Sequence, residues 1–302
     1  MISKQSFIET IVGKRIEEQR AYISAMRLVN RLLLKPFDKF IKPANPYTYL
    51  TICSIEELDR VEASLFSFVK NTSFHPEKYV IVSDGSWDVL EGASFFSKNS
   101  LPLLFFRWED CALAFKDTCP SLMKWAEKQI WGRKLSAILY FSNNTPVLFA
   151  DSDVLWFDTP INSKDLVSTK LKLSVDNSHN YDAHGIEELK LSHLYDTEEP
   201  INCGVVFIHG GLSLLDDVSL SFISYQAEHC GKYSEQTLFA LLDLRFNCRW
   251  EPEEIVSDID DIVRDFDLPN IYYSNMMARH YVWRLKWVFW KDYIKIVLNG
   301  SF

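Results

Sequence analysis

Asp151 and Asp153, with Ser152 between them, directly follow the apolar run 146–150 and precede Val154-Leu155-Trp156-Phe157. Two carboxylates at i and i+2, at a strand end, can reach one hard cation through their oxygens. Mg2+ or Mn2+ held in this way keeps open positions for a diphosphate. The spacing alone is common: Asp258/Asp260 and Asp265/Asp267 repeat it inside a stretch with the composition of an acidic loop. The alternative for Asp151 and Asp153 is a turn whose carboxylates cap a helix.

Acids at a strand end need a sheet to place them. Residues 47–53 (YTYLTIC), 79–83 (YVIVS), 103–107 (LLFFR) and 146–150 (PVLFA) are short β-prone runs, while 55–70, 120–132 and 133–141 have helical spacing. Strands of buried residues alternating with helices predict a parallel sheet with helices on both faces, and ligands bind beyond the carboxyl ends of such strands. Asp84 follows YVIVS at one such end, although Asp84-Gly85 is equally a turn signal. Beyond Phe157, residues 171–175 and 205–209 read as strands and 234–242 as a helix, with a polar loop over 176–200 and an acidic one over 251–270. His179, His184 and His193 lie in the polar loop at a spacing that fits no common metal site.

Composition narrows the classes. In 302 residues, 47% hydrophobic and 24% charged is ordinary globular content, and ten glycines leave little for a Gly-rich phosphate loop. A net charge of −9 argues against a general nucleic-acid binder. The charge is uneven: residues 1–45 hold nine Lys/Arg against four Asp/Glu, and 279–295 hold five against one. These basic, aromatic-rich ends fit either contact with an anionic membrane surface or a solvated helix face. Apolar residues at helical spacing over 8–35 predict a helical, amphipathic N-terminal extension over 1–45 that lies on a leaflet, covers the sheet or makes a homodimer. Trp283, Trp287, Phe289 and Trp290 either pack on the core or share the membrane contact. Six cysteines without a C-x-x-C pair read as reduced, mostly buried thiols. With no signal-type N-terminus and no long apolar run, a cytoplasmic protein is expected.

The run RKLSAILYFSNNTPVLFADSDVLWF (133–157) resembles the core of retaining glycosyltransferases with the A-type fold, such as the glycogenin-like and bacterial lipopolysaccharide sugar transferases. In that pattern a Lys-Leu opens a helix, and the next strand ends in a D-x-D metal site. Downstream the family has Asn-x-Gly-Val, an acidic-Gln pair opening a helix, and a late His near a Lys. Here these are Asn202-Cys203-Gly204-Val205, Glu235-Gln236, and His280 with Lys286. Order and rough spacing agree over 47–290. The WGRKL and ARHYV segments are similar to those of uncharacterised bacterial nucleotide-diphospho-sugar transferases. Two departures stand out: Glu-Gln replaces Asp-Gln, and residues 281–285 fill the usual Gly spacing before the closing Lys.

The resemblance implies a single Rossmann-like domain over 46–302, with a nucleotide-binding half (46–157) and an acceptor half (158–302). It implies a nucleoside diphosphate sugar donor, UDP-linked, transfer with retention, and a glycan or lipid-linked acceptor. Mn2+ or Mg2+ would be held by Asp151, Asp153 and His280. Asp151, Ser152 and Lys134 would lie along the diphosphate and donor sugar, Asp84 at the nucleotide, and Lys286 with Arg284 on the phosphates. Asn202, Gln236 and Glu235 would face the donor sugar and its anomeric centre, and Asp176 the acceptor or sugar hydroxyls. Taken alone, His280 reads as a surface histidine, Lys134 as an exposed helix lysine, and Ser234 as a helix cap bonded to a partner three residues on. Two other classes compete: a haloacid-dehalogenase-type phosphohydrolase, whose D-x-D ends the first strand, and a non-catalytic sugar-nucleotide-binding protein.

Overall fold

A computed structural model describes residues 44–99, 101–257, 274–282 and 286–299, together with Ser24 and Leu28. The amphipathic extension read over 8–35, Arg284, and the side chains of Trp283, Lys286 and Trp287 lie outside the described residues. The acidic stretch holding Asp258, Asp260, Asp265 and Asp267 does so as well.

Six strands form the central sheet: β1 (Asn45–Cys53), β2 (Pro76–Ser83), β3 (Leu103–Arg107), β4 (Val147–Ala150), β6 (Leu171–Val175) and β7 (Ile201–Ile208). Their order is β3-β2-β1-β4-β7-β6. β1, β2, β3 and β4 run parallel, while β7 is antiparallel to both β4 and β6. The sheet is therefore mostly parallel, as the alternation predicts. The reversed β7 carries no sequence signal, because a strand covered on both faces is apolar in either direction. β7 also starts at Ile201, four residues before the expected Val205, and Asn202 and Gly204 thus belong to the strand.

Between β1 and β2 lies α1 (Leu58–Asn71), and α2 (Val89–Phe95) and α3 (Trp108–Leu113) flank β3. Asp88 caps α2 by accepting from the amides of Leu90 and Glu91, while Glu91 accepts from the Asp88 amide. Two helices precede β4: α4 (Pro120–Lys128), opened by a proline suited to a first turn, and α5 (Ile130–Ser142). The break falls at Gln129, which is extended, and not at Gly132. Gly132 lies inside α5, and glycine is needed there because any Cβ would lie 2.6 Å from the backbone of α4. A second, three-stranded sheet is made by β5 (Val154–Trp156), β8 (Ile255–Val256) and β9 (Ala278–His280), in the order β5-β9-β8. The remaining helices are α6 (Ser163–Ser168), α7 (Ala183–Glu188), α8 (Asp217–His229), α9 (Ser234–Phe246) and α10 (Lys286–Asn299). α7 and a 3-10 turn at Ser192–Asp196 occupy the stretch read as a plain loop.

The core lies on both sides of the sheet. Trp125, Leu135, Phe149, Phe222 and Phe239 belong to one cluster, and Tyr49, Phe68, Trp156 and Phe207 to the other. Each such side chain stabilises the fold by about 1.5–3 kcal/mol on leaving water. Phe289 and Trp290 sit in a third cluster with Leu155, Tyr281 and Tyr293 and are 0% and 1% exposed. That overturns their part in a membrane contact and bears out packing on the core. Among the described residues no helix is long and apolar enough to cross a membrane. The six cysteines are free thiols, four of them buried.

Candidate active site

Asp151 leaves β4 and Asp153 enters β5, so the D-x-D triplet bridges the two sheets. The amide of Asp151 donates to the Gly204 carbonyl of β7 at 2.8 Å, and the Asp153 carbonyl accepts from the Tyr281 amide at 2.8 Å. Antiparallel pairing of β5 with β9 sets Val154 opposite His280. The register thus delivers the imidazole to the acids from 127 positions away in the chain. His280 Nε2 is 3.2 Å from Asp153 Oδ1 and 3.6 Å from Asp151 Oδ2. His280 is 6% exposed, not a surface histidine.

These three side chains suit a divalent cation. One ligand atom from each lies within 4.8 Å of the others. Nδ1 of His280 is 3.0 Å from Asn202 Oδ1, an oxygen that can only accept and that also accepts from the Gly204 amide at 2.8 Å. A proton therefore sits on Nδ1 and Nε2 faces the acids, where it would give its lone pair to a bound cation, the usual outer-shell arrangement for a metal-binding histidine. A Cβ on Gly204 would lie 2.1 Å from Nδ1, so the ring has its seat only because residue 204 is glycine. Burial alone would lower the basicity of His280; Asp153 and then Asp151 outweigh it and raise its pKa above the ordinary value. Two carboxylates and an imidazole match a divalent metal ion.

Lys134 lies under this group. It comes from α5 and is 3% exposed, which overturns its reading as an exposed helix lysine. Its ammonium is 2.9 Å from Asp151 Oδ1 and 3.7 Å from Glu235 Oε1, and it stands 4.8 Å from the centre of the Phe149 ring. Burial would depress the lysine, but Asp151, the Cys203 sulfur and Glu235 together keep it protonated. Burial lifts the carboxyls of Asp151 and Glu235 above their ordinary values, and Lys134 opposes that rise at both.

Glu235 and Gln236 open α9 and point into the same cleft, 4% and 7% exposed. The capping alternative fails here. The residue before the helix is Tyr233, in the left-handed region at φ 60°, no side chain caps the helix, and the Ser234 hydroxyl is buried without a partner. Glu235 Oε1 accepts from Cys203 Sγ at 3.3 Å, and Oε2 is buried without a hydrogen-bond partner. Asp176, at the end of β6, accepts at Oδ2 from Asn202 Nδ2 at 3.1 Å and from Gln236 Nε2 at 3.4 Å. One chain of contacts thus joins His280, Asn202, Asp176 and Gln236.

A cleft of about 890 Å3 contains all of these groups together with Asp84 and Ser152. Asp84 stands at the cleft wall and in a turn. It lines the cleft, and it accepts from the Ser86 amide and hydroxyl at 2.9 and 2.6 Å in a turn completed by Gly85 at φ 102°. Sequence reasoning missed Cys203, Trp131 and Tyr233 in the lining, although Cys203 stands inside the Asn-x-Gly-Val segment and Tyr233 two residues before Glu235. His179 turns away to the Thr197 carbonyl at 3.0 Å and to the rings of Tyr181 and Tyr195, as expected of a loop residue.

Solved structures that align with this chain include glycosyltransferases. The galactosyltransferase LgtC, solved with donor and acceptor sugar analogues, aligns over 83% of this chain and 95% of its own at 14% identity, with a TM-score of 0.51. The chain has the glycosyltransferase A-type fold. Mouse xyloside xylosyltransferase 1 aligns over 78% of this chain and 96% of its own, at 9% identity and a TM-score of 0.53. The bifunctional glycosyltransferase WbbM aligns over 88% of this chain but 52% of its own, at 11% identity and a TM-score of 0.50. No protein-family model and no curated protein sequence matches the chain. In this A-type fold Asp151 ends the fourth strand of the chain, whereas a haloacid-dehalogenase nucleophile ends the first, so the phosphohydrolase alternative loses its topological basis.

Proposed function

We propose that the chain is a metal-dependent glycosyltransferase that takes a sugar from a nucleoside diphosphate donor, UDP-linked, and passes it with retention to a hydroxyl of a glycan or lipid-linked acceptor. One observation carries this reading. Asp151, Asp153 and His280 converge on one point at the carboxyl end of β4, in the cleft where Glu235 and Gln236 also lie. That is where an open sheet binds its ligand. Mn2+ or Mg2+ on these three residues supplies positive charge against a departing diphosphate.

The rest falls to the protein's own side chains. Lys134 adds a fixed cation beneath Asp151 and balances that half-buried acid and the buried Glu235. Positive charge develops at the anomeric carbon as the diphosphate leaves, and the Glu235 carboxyl or the Gln236 amide oxygen, at the floor of the cleft, stabilises it. The amides of Asn202 and Gln236 hold Asp176 with its carboxylate turned to sugar hydroxyls. Asp84 and Ser152 border the nucleotide side. Residues 46–157 then grip the donor, and 158–302 supply the anomeric and acceptor side.

The test is release of nucleoside diphosphate from a panel of sugar nucleotides, with and without Mn2+. The expected result is turnover of one UDP-sugar that EDTA or Asp153→Ala abolishes. Cleavage of p-nitrophenyl phosphate with every sugar nucleotide left intact would replace this reading with the phosphohydrolase one. Metal-dependent UDP binding without turnover would favour the non-catalytic binding protein.

A further inference from the structure

The turn that delivers Glu235 and Gln236 is strained and heavily tied down. Cys230 ends α8 at φ 55° and Tyr233 precedes α9 at φ 60°, two non-glycine residues in the left-handed region within four positions. Such conformations persist only where surrounding contacts fix them. Gln226, 0% exposed, accepts the Gly231 amide on Oε1 at 2.7 Å and donates from Nε2 to Asp182 Oδ2. The Asp182 carboxylate, 3% exposed, is wedged where a Cβ on Gly231 would lie 2.0 Å from Oδ2 and one on Gly185 2.8 Å away. Gln129 holds the other edge, donating to the carbonyls of Cys230 and Gly231 at 3.2 and 3.1 Å. Thr237 closes the set: its hydroxyl donates to the Tyr233 carbonyl at 2.9 Å and accepts from the Asp182 amide at 2.7 Å.

We propose that Gln226 and Asp182 are positioning residues, which fix the turn 230–233 and thereby aim Glu235 and Gln236 at the reacting sugar. The inference rests on the glycosyltransferase reading. It extends that reading to two side chains that touch neither the cleft nor the metal ligands. A buried amide donating to a buried carboxylate is directional and costly to break. The first turn of α9 follows the clamp within two residues, so a shift at Gly231 is passed to Glu235 and Gln236 with little damping. A misplacement of about 1 Å at a reacting centre can slow turnover about 100-fold.

The experiment compares wild type, Gln226→Glu, Asp182→Asn and the reciprocal double variant Asp182→Asn/Gln226→Glu. Gln226→Glu sets two carboxylates against each other, and Asp182→Asn replaces the charge-assisted bond with a weaker neutral one between two amides. The double variant restores one donor and one acceptor with the polarity reversed, and a glutamate oxygen still accepts the Gly231 amide. Each single variant is expected to lose at least tenfold in kcat while binding one Mn2+–UDP per chain within twofold of the wild-type Kd. The double variant should recover to within about threefold of wild type. Unchanged turnover in the single variants, or a double variant no better than they are, would overturn the clamp.

Native alkylation of Cys203, mapped by mass spectrometry, reads the same geometry without turnover, because Cys203 lies against Glu235. The single variants should be modified at least tenfold faster, and the double variant should be protected. A wild-type protein that turns over no sugar nucleotide counts against the transferase reading. The alkylation rates then decide the clamp by themselves, with equal rates in all four proteins overturning it.

Discussion

Gly204 and His280 share one space: a methyl group on Gly204 would lie 2.1 Å from His280 Nδ1 and 2.2 Å from Cε1. Gly204 sits in β7 and His280 in β9, on different sheets, so this approach fixes how the late histidine reaches the acids of the D-x-D turn. Gly204→Ala should leave the sheets intact and push the imidazole from its seat. Loss of outer-shell support for a metal ligand typically costs 10–100-fold in affinity. Titration of Mn2+ in the presence of UDP should show at least a tenfold rise in Kd for Gly204→Ala, and an unchanged Kd would mean that the imidazole does not bind the ion.

Lys134 is the cation between the half-buried Asp151 and the buried Glu235. Its removal leaves Asp151 and Glu235 facing each other with the compensating charge gone. Breaking a buried pair on one side costs about 3–5 kcal/mol. Urea melts of Lys134→Ala should show a loss of that order in metal-free buffer. Saturating Mn2+ should return part of it, since the ion neutralises Asp151. A loss under about 1 kcal/mol would show that solvent, not Lys134, balances these carboxylates.

Asp216 gives a prediction for pH. Its Oδ1 accepts from the Ser219 amide and hydroxyl at 2.9 and 2.7 Å and caps α8, and Arg245 stands 3.6 Å from Oδ2. Burial pulls its pKa up, but the Ser219 bonds and Arg245 prevail and depress it below 3.8. A folded-state pKa below the unfolded one means stability that is fully present above the unfolded value and lost as pH falls through the folded one. Asp216→Ala should cost about 1 kcal/mol at pH 7, the usual worth of such a cap. The gap from wild type should stay level down to about pH 4 and close below it. A gap constant from pH 7 to pH 3 would contradict the assignment.

What the sequence disclosed follows from how local each signal is. Asp84 and Asp151 are readable because a parallel sheet gathers its ligands at strand ends, and both directly follow short β-prone runs. His280, Glu235 and Gln236 become readable only through the resemblance, since pairing β9 with β5 is a long-range event. The ion pair of Lys134 with Asp151 spans 17 positions and crosses from a helix to a strand end, so no helical spacing foretells it. α8 (DVSLSFISYQAEH) escaped notice because serines interrupt its apolar face and Gln226 is buried on it. Its partner Asp182 is 44 positions away, in a stretch that reads as polar loop.

The most direct measurement of the central claim is anomalous diffraction from crystals grown with Mn2+ and UDP. One strong manganese peak is expected, bounded by Asp151, Asp153 and His280 Nε2, with diphosphate oxygens completing its coordination and no peak in Asp153→Ala. UDP bound in the cleft with no manganese at that point, or manganese held by other residues, would contradict it.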